Sequence, residues 1–283
     1  MRNQLSVLIA VILFFSCEET PVFDSEITDG IPLVGIPEHN CSTEGICNSS
    51  TVTAQWEGND FTIAYSYRLE MSEDDTNNYP FTVDVYSSWS EWSTENSVTL
   101  EHLDEGIYDL FVKGRFNEDL VQLDSSLLSF EVNAIPESSL RIYPLRQSVT
   151  SQEQFDIYIY AEEISNVVGM EIQLSYDSDY ISFTDNPMLD ADYALGSIIT
   201  DYSDYTIFPA PESNEDAILI SGVMAGNGLS GTGAIMKLTL TYSGSGSTST
   251  TIEIDMANTL LRDINNHNIT IENFVPGLIE VGE

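Results

Sequence analysis

The sequence predicts an all-β protein with two β-sandwich domains. Short segments in which apolar and polar residues alternate recur at sandwich-like spacing, and no amphipathic helix of useful length follows the N-terminal apolar segment. A change of composition at residues 134–139, AIPESS, separates two strand-rich regions. We therefore expect five segments: a signal peptide at 1–16, a tether at 17–49, a first domain at 50–133, a linker at 134–139 and a second domain at 140–283.

The N-terminal segment, MRNQLSVLIAVILFFSC, places one Arg before an apolar run that is too short to span a bilayer comfortably and is typical of an export signal. Its ending, FFSC, resembles the lipobox of bacterial lipoproteins. This resemblance implies cleavage before Cys17 and lipid attachment to that cysteine. Glu18 and Glu19 resemble the surface-export signal of some lipoproteins, so we expect a lipid anchor at the outer membrane or cell surface. The alternative is an ordinary cleaved signal that leaves a free cysteine.

The predicted tether contains three prolines and little hydrophobic periodicity. It also contains Cys41 and Cys47, which are six positions apart. In an exported protein, two cysteines that close a small loop favour a disulfide over a zinc site, because zinc would require four ligands. We expect this disulfide to be a local structural staple, since so short a loop removes little chain entropy.

The charge of the chain excludes one class of function. Forty-six acidic residues against eight basic residues give a formal net charge of −38. Such a surface repels phosphate backbones and anionic lipid headgroups, which argues against nucleic-acid binding. The simplest explanation is that the charge keeps an exported protein soluble, although it would also favour divalent cations.

The first domain shows three alternating segments and one corner motif. Leu103, Gly106 and Tyr108 have the spacing of a tyrosine corner, in which a Tyr at the start of a late strand bonds back to the preceding connection. The series WEGND, YSYRLE, WSEWS, LDEGIYDLFVKGRF and LSFEV resembles a fibronectin type III or related immunoglobulin-like module, which implies a spacer or support. The apolar positions expected to face its core are Phe61, Ile63, Tyr65, Tyr67, Leu69, Phe81, Val83, Val85, Tyr108, Leu110 and Val112.

Trp89 and Trp92 lie in the string WSEWS. Paired tryptophans can stack on sugar rings or form a cation–π ladder with arginines. The string resembles the box of cytokine receptors, but there it follows the strand that starts at the tyrosine corner, whereas here it precedes that strand. This departure argues against membership of that family. We expect one tryptophan in the core and the other partly exposed, in preference to a sugar-binding platform.

The second domain consists of alternating strands separated by Gly-rich and Asp-rich turns. The strand GMEIQLSYD, the strand SGTGAIMKLTL and the closing pair DINNHNITI and GLIEV resemble, in this order, the cohesin domain. That resemblance implies a jelly-roll sandwich of the kind that, in cellulose-degrading bacteria, captures dockerin-bearing enzymes. The positions expected to face the core are Phe155, Ile157, Ile159, Met170, Ile172, Leu174, Tyr176, Met236, Leu238, Leu240, Tyr242, Ile252, Ile254 and Met256.

The candidate partner-binding residues lie on GMEIQLSYD. Glu171, Gln173 and Ser175 alternate with its core positions, and Asp177 follows at the strand end. In cohesins the corresponding sheet face receives the dockerin helices, so the resemblance implies that these four residues contact the partner. The alternative is that they are only the solvated face of a sheet. A basic or polar helical partner would suit the acidic side chains.

No metal or catalytic constellation stands out. DINNHN begins like a calcium loop, but Asn268 and Phe274 occupy the positions where an EF-hand needs Gly and Glu, so we expect a hairpin and not a dockerin. Weak calcium binding near Asp177, Asp179 or residues 212–216 stays open, and we expect no other cofactor. His39, His102 and His267 are far apart and lack a nucleophile motif, so we expect no enzyme.

The predicted function is therefore that of a lipid-anchored, non-catalytic binding protein. Its cohesin-like domain would dock a dockerin-type partner, with a link to polysaccharide use. One alternative is direct carbohydrate binding, which a row of exposed aromatics would favour; Tyr158, Tyr160, Tyr202 and Tyr205 are the candidates. A second alternative is a structural or adhesion protein of the envelope.

Overall fold

The computed structural model describes residues 31–42, 45–72, 86–135, 138–183, 193–195, 198, 205–211, 216–224, 228–244 and 249–281. These residues form strands, turns and irregular segments, with no helix among them. The predicted all-β fold class is thus confirmed. Within the same ranges there is no helix long and apolar enough to cross a membrane.

The first domain is a sandwich of a three-stranded sheet and a four-stranded sheet. One sheet has the order β1-β3-β5 and the other has the order β2-β7-β6-β4. Side chains from both sheets meet in one apolar core that includes Trp56, Leu110 and Phe130. The strands are β1 (Glu38–His39), β2 (Ile46–Cys47), β3 (Val52–Gln55), β4 (Ala64–Met71), β5 (Ser97–Leu100), β6 (Gly106–Arg115) and β7 (Ser126–Val132).

The predicted tether at 17–49 extends too far, because its second half belongs to the first domain. Val34 and Cys47 are buried in the core of that domain. β1 pairs with β3, and β2 pairs with β7, so both strands add to the two sheets. Cys41 and Cys47 are joined by a disulfide that closes the loop before β2. Low periodicity misled the prediction, since these strands are only two residues long.

In the first domain, the predicted alternation of buried and exposed side chains is present within the strands but not in the residues just outside them. Tyr65, Tyr67 and Leu69 on β4 pack on the core, opposite buried positions of β6. Phe61 and Ile63 were expected there too, but they are exposed. The reason is a turn closed by the Thr62 amide donating to the Asn59 carbonyl, so that β4 begins only at residue 64. The predicted strand at Phe81, Val83 and Val85 lies outside the described residues.

The predicted tyrosine corner is present at the start of β6. The Tyr108 hydroxyl donates to the Asp104 carbonyl at 2.9 Å, and both residues are buried. This bond fixes the connection between β5 and β6, in which Asp104 and Glu105 lie. Both carboxylates of that connection are used at the contact with the second domain, described below.

The second domain is also a two-sheet sandwich. One sheet has the order β12-β16-β10-β8-β20, with β13 added to β16, and the other has the order β14-β15-β11-β17-β21-β9, with the β18–β19 hairpin added to β11. The strands are β8 (Ser139–Tyr143), β9 (Arg146–Val149), β10 (Gln154–Val167), β11 (Gly169–Tyr176), β12 (Ile181–Ser182), β13 (Tyr193–Leu195), β14 (Tyr205–Pro211), β15 (Ala217–Met224), β16 (Leu229–Tyr242), β17 (Thr250–Ile254), β18 (Leu260–Arg262), β19 (Asn268–Ile269), β20 (Asn273–Val275) and β21 (Gly277–Val281).

The core of the second domain follows the predicted alternation with one error. The predicted positions of β10, β11, β16 and β17 are buried in one cluster, with Tyr176 at its margin. Met256 was expected in this core, yet it is 69% exposed. β17 ends at Ile254, and Asp255 then closes a turn by accepting a hydrogen bond from the Ala257 amide at 2.8 Å. The period of two therefore stops two residues before Met256.

The segment DINNHN forms the predicted hairpin. β18 and β19 pair antiparallel on either side of it. The Asp263 carboxylate accepts hydrogen bonds from the amides of Asn265 at 2.9 Å and His267 at 2.8 Å. These bonds hold the turn and lower the pKa of Asp263. The oxygen atoms that suggested a calcium loop thus serve the turn itself.

Candidate partner-binding face

The strand β11 lies inside the larger sheet of the second domain and shows one side to solvent. Ile172 and Leu174 point into the sandwich and are fully buried. Glu171, Gln173 and Ser175 alternate with them and therefore point outward. The structure thus brings three of the four predicted contact residues together in one row. Glu171 is exposed, whereas Gln173 and Ser175 are partly covered by their neighbours.

Neighbouring strands extend this row into a surface. Gln173 is directly opposite Leu219 of β15, and Ser175 lies between Ala217 of β15 and Glu253 of β17. Opposed side chains on one face are about 5 Å apart, so they form a continuous layer. We call this surface the open face; its residues on the three strands are Glu171, Gln173, Ser175, Leu219, Ser221, Val223, Thr251 and Glu253.

The open face carries carboxylates, hydroxyls and a few apolar side chains. Glu171 and Glu253 supply negative charge, Ser175 and Ser221 supply hydroxyls, and Val223 is 60% exposed. A surface of this kind can accept hydrogen bonds from basic or amide groups while burying a small apolar area. Its chemistry suits a polar partner better than an apolar one.

A groove of about 480 Å³ lies at one end of the open face. It begins at Ser175 and Asp177, where β11 ends, and continues along β17. Burial and the nearby negative charge of Asp216 raise the pKa of Tyr176, which also lines the groove, so its hydroxyl remains protonated and able to donate. The groove is lined by Ser175, Tyr176, Asp177, Ser249, Thr250, Thr251, Glu253 and Leu278.

Asp177 has a structural role beside its predicted one. Its carboxylate accepts a hydrogen bond from the Asp179 amide at 3.0 Å, and its carbonyl accepts from the Tyr180 and Ile181 amides. It therefore shapes the turn from β11 to β12. No group of three His, Cys, Asp or Glu side chains arranged for a metal was found within the described ranges. Residues 212–215 of the considered calcium run lie outside them.

The opposite side of the sandwich is partly covered by the first domain. Leu140 and Ile142 of β8 point into the core, so Arg141 and Tyr143 point outward, yet both are fully buried. Arg141 Nη1 donates to Asp104 Oδ1 of the first domain at 2.8 Å, and Arg141 Nη2 donates to Glu162 Oε1 of β10 at 2.9 Å. We call this region the covered patch; its residues are Ser139, Arg141, Tyr143, Tyr160 and Glu162.

Further hydrogen bonds hold the two domains together around the covered patch. The Leu145 amide donates to Asp104 Oδ1 at 3.1 Å, and the Ile135 amide, in the segment that joins the domains, donates to Glu105 at 2.6 Å. Arg146 donates to the Tyr86 hydroxyl at 2.7 Å. Ser139, which ends the predicted linker at 134–139, is already the first residue of β8. The two domains are therefore joined by a short linker and by hydrogen bonds between them.

The contact between the first domain and the covered patch holds more carboxylates than cations. Asp104, Glu105 and Glu162 surround the single guanidinium of Arg141. Burial raises the pKa of Asp104 to about 7, against the lowering effect of Arg141. Burial and the negative charge of Glu162 likewise raise the pKa of Glu105 to about 7. Sequence reasoning missed this cluster; the available signal was a charged residue inside SLRIY, between two core positions.

The two described tyrosines of the four proposed for sugar binding are not part of an exposed row. Tyr160 is buried beside Tyr143 within the covered patch, and Tyr158 is partly buried against the same ring. The side chains of Tyr202 and Tyr205 lie outside the described residues. The three histidines are on separate elements: His39 on β1, His102 before the tyrosine corner and His267 in the β18–β19 hairpin.

Neither Trp89 nor Trp92 lies in the core, so the expectation of one core tryptophan was wrong. The core tryptophan is Trp56, which packs on Tyr65 and Tyr67. The WSEWS segment instead runs beside β4 and folds its rings over the outer side of the sheet. There the rings contact Arg68, Lys113 and Arg115. These contacts form a cation–π ladder, which was one of the two arrangements considered for the paired tryptophans in the sequence analysis.

Comparison with known proteins finds similar solved structures only, at low identity and over about half of the chain. No protein-family model matches the chain, and no curated protein matches it. Among solved structures, a non-cellulosomal cohesin from Archaeoglobus fulgidus is 14% identical with a TM-score of 0.41, over 52% of this chain and 93% of that one. A type II cohesin from the Acetivibrio cellulolyticus cellulosome is 14% identical with a TM-score of 0.42, over 51% and 95%. The cohesin–dockerin complex Coh-OlpA-Doc918 from Clostridium thermocellum is 10% identical with a TM-score of 0.42, over 51% and 98%.

Proposed function

We propose that this chain is an exported, non-catalytic binding protein whose second domain captures a protein partner on the open face. The observation that carries the proposal is the contrast between the two outer sides of one sandwich. The first domain covers the patch around Arg141, whereas Glu171, Gln173 and Ser175 lie on a side that no described segment of the chain covers. The resemblance of GMEIQLSYD to a cohesin strand supports the choice of this side as the binding surface.

The sheet that carries the open face has room for one small partner module. Its six strands in line, about 4.8 Å apart and each of about six residues at 3.3 Å per residue, span roughly 24 Å by 20 Å on the outer side. The resulting projected area of about 500 Å², enlarged by side-chain relief, approaches the roughly 800 Å² that each partner contributes to a specific interface. We infer a single docked module of the dockerin type rather than several.

The chemistry of the open face specifies the partner's surface. Glu171, Glu253 and Asp177 would pair with Lys, Arg or amide groups, and the hydroxyls of Ser175 and Thr251 would take part in short hydrogen bonds. Because the whole chain is strongly acidic, a basic module would be steered toward it and would bind faster at low salt. A helical module rich in Lys or Arg therefore fits best.

The proposal is tested by binding of dockerin-bearing proteins encoded in the same genome to the immobilised mature chain, read by biolayer interferometry. We expect at least one to bind, and we expect Glu171→Ala with Gln173→Ala to weaken that binding tenfold or more. Glu118→Ala, at an exposed position of the first domain, is the matched control and should bind as the wild type does. Absence of any binder, or full binding by the double variant, would contradict the proposal.

We further propose that Cys17 carries the lipid that holds the chain on the cell envelope. The FFSC ending of the N-terminal segment supports this. Radioactive palmitate supplied to bacteria that express the chain should label the wild type and leave Cys17→Ser unlabelled. Cys41→Ser is the matched control and should retain the label, since Cys41 is bonded to Cys47. Labelling of Cys17→Ser would refute the anchor.

A further inference from the structure

The outer side of the first domain's four-stranded sheet carries a stack of alternating rings and cations. Arg68 lies 4.7 Å from the Phe111 ring centroid and 5.2 Å from that of Trp89. Lys113 lies 3.9 Å from Trp89 and 5.6 Å from Trp92, and Arg115 lies 4.6 Å from Trp92. All these distances are within the range of favourable cation–π contact. We call this stack the ladder; its order is Phe111, Arg68, Trp89, Lys113, Trp92 and Arg115.

The ladder concentrates positive charge in a protein that has little of it. Three of the eight basic residues of the chain lie in it. Within the ladder, Arg68 is paired with Glu70 at 2.7 Å. In the described part of the chain, no carboxylate comes within 4.0 Å of Lys113 or Arg115, whereas Lys237, Arg141 and Arg146 are each paired with an acid. Among the described residues, these two cations therefore lack an acidic partner within ion-pair distance.

The geometry limits what can bind to the ladder. The faces of the Trp89 and Trp92 rings are occupied by cations, so they are not free to stack on sugar rings. The groups that remain for a ligand are the N–H donors of Lys113 and Arg115, both partly exposed, and the exposed part of Trp89. N–H donors with positive charge select carboxylates.

The spacing and the surroundings favour an extended acidic peptide. Lys113 and Arg115 lie two residues apart on one side of β6, about 6.7 Å along the strand, which equals the repeat of alternate carboxylates on an extended chain. Leu127 of β7, opposite Phe111, is 45% exposed and offers an apolar contact at the other end of the ladder. Trp and Arg beside an exposed apolar residue are typical of protein interfaces.

We propose that the ladder is a second docking site, which takes an extended acidic segment of a partner protein. The net charge of −38 does not exclude such a partner, because at physiological ionic strength charges more than about 8 Å away are largely screened. The burial and the nearby Arg68 charge that lower the pKa of Lys113 agree with a site that a bound carboxylate would stabilise. This site is separate from the open face and does not depend on it.

The probe is a ten-residue synthetic peptide in which Glu alternates with Thr and Leu ends the chain, added to the full mature protein. Tryptophan fluorescence reports binding, because Trp89 and Trp92 are in the ladder and Trp56 is buried. We expect a saturable change that is lost with a Gln-for-Glu peptide and that weakens as salt rises. We also expect Lys113→Gln with Arg115→Gln to bind at least tenfold more weakly, and Lys237→Gln, whose lysine is paired with Asp156, to bind within twofold of the wild type.

Two further variants separate binding from folding. Arg115→Gln changes only the end of the ladder and should weaken binding several-fold with an unchanged circular dichroism spectrum. Arg115→Lys keeps the charge and should restore binding to within about threefold of the wild type. Equal binding by the wild type and the double variant would overturn the proposal, as would saturable binding of an oligogalacturonate in place of the peptide, or no response to the peptide at millimolar concentration.

Discussion

The two outer sides of the second domain use charge in opposite ways. On the covered patch, Arg141 and its carboxylates are buried and bonded to one another and to the first domain. On the open face, Glu171 is exposed, and Glu253 likewise faces solvent beside Ser175. Charges buried against a neighbouring domain determine stability and orientation, whereas exposed charges on a flat sheet change stability little and are free for a partner. We therefore expect the covered patch to stabilise the protein and the open face to bind a partner.

The largest effect should come from removing the cation of the covered patch. Arg141→Met leaves Asp104 and Glu162 buried without their partner, which should cost about 3–5 kcal/mol of unfolding free energy. Urea unfolding followed by circular dichroism measures this. Arg262→Met is the control: its guanidinium bonds to an exposed hairpin, and the change should cost no more than about 0.5 kcal/mol. Equal costs would remove the distinction between the two sides.

Ile254 and Met256 were both predicted to face the core, but substitution of the first should cost far more stability than substitution of the second. Ile254 is buried at the end of β17, and Ile254→Ala should cost about 2–4 kcal/mol. Met256, two positions later, would lie on the same side of a continued strand, but it is beyond the turn at Asp255. Met256→Ala should therefore lower the unfolding free energy by about 0.5 kcal/mol or less. Thermal unfolding of both variants measures the difference. A large cost at Met256 would mean that the strand continues past residue 254.

The contact between the first domain and the covered patch should also make stability depend on pH. Asp104 and Glu105 have a pKa raised to about 7, so the folded state binds protons that the unfolded state has already lost above about pH 4.5. The stabilisation is present at low pH and is lost as pH rises toward 7. Between pH 5 and pH 8 we expect the unfolding free energy to fall by about 2 kcal/mol, a value reduced for the partial exposure of Glu105.

The pH effect can be assigned by one substitution. Asp104→Asn keeps an acceptor for the Leu145 amide but cannot ionise, so the fall between pH 5 and pH 8 should become shallower. Asp119→Asn, in an exposed loop, should keep the wild-type profile. Carboxylates with a lowered pKa, such as Asp255 and Asp263, act in the opposite direction but only at acid pH. An unchanged slope in Asp104→Asn would place the titrating group elsewhere.

The smallest effect on stability should come from the open face. Glu171→Ala with Gln173→Ala removes side chains that make no core contact, so the unfolding free energy should change by about 0.5 kcal/mol or less. A loss above about 2 kcal/mol would show that these residues serve the fold. We expect this double variant to be stable and fully expressed and to bind the partner more weakly than the wild type does.

Much of the fold could be predicted because burial has a simple period within a strand. Ile157, Leu174 and Leu238 face the core for this reason, and the DINNHN hairpin follows from turn chemistry. The errors arise where the period ends or where another element covers a surface. Met256 lies past a turn, and Phe61 precedes a strand.

The features of the candidate site and of the domain contact that could not be predicted depend on contacts between segments far apart in the sequence. The row of Glu171, Gln173 and Ser175 could be placed because one strand contains it, whereas its neighbours on β15 and β17 required the sheet order. Arg141 meets Asp104 across 37 positions and between domains, so no local pattern reports it. The tryptophan ladder likewise needed β4 and β6 to lie side by side.

The central claim is that a partner occupies the open face while the first domain keeps the covered patch. Hydrogen–deuterium exchange of the mature chain, with and without a captured dockerin-bearing protein, tests it most directly. We expect new protection at residues 169–177 and 217–224 on binding, with residues 139–143 equally protected in both states. Protection confined to the first domain, or increased exchange at 139–143 with none gained on β11, would contradict it.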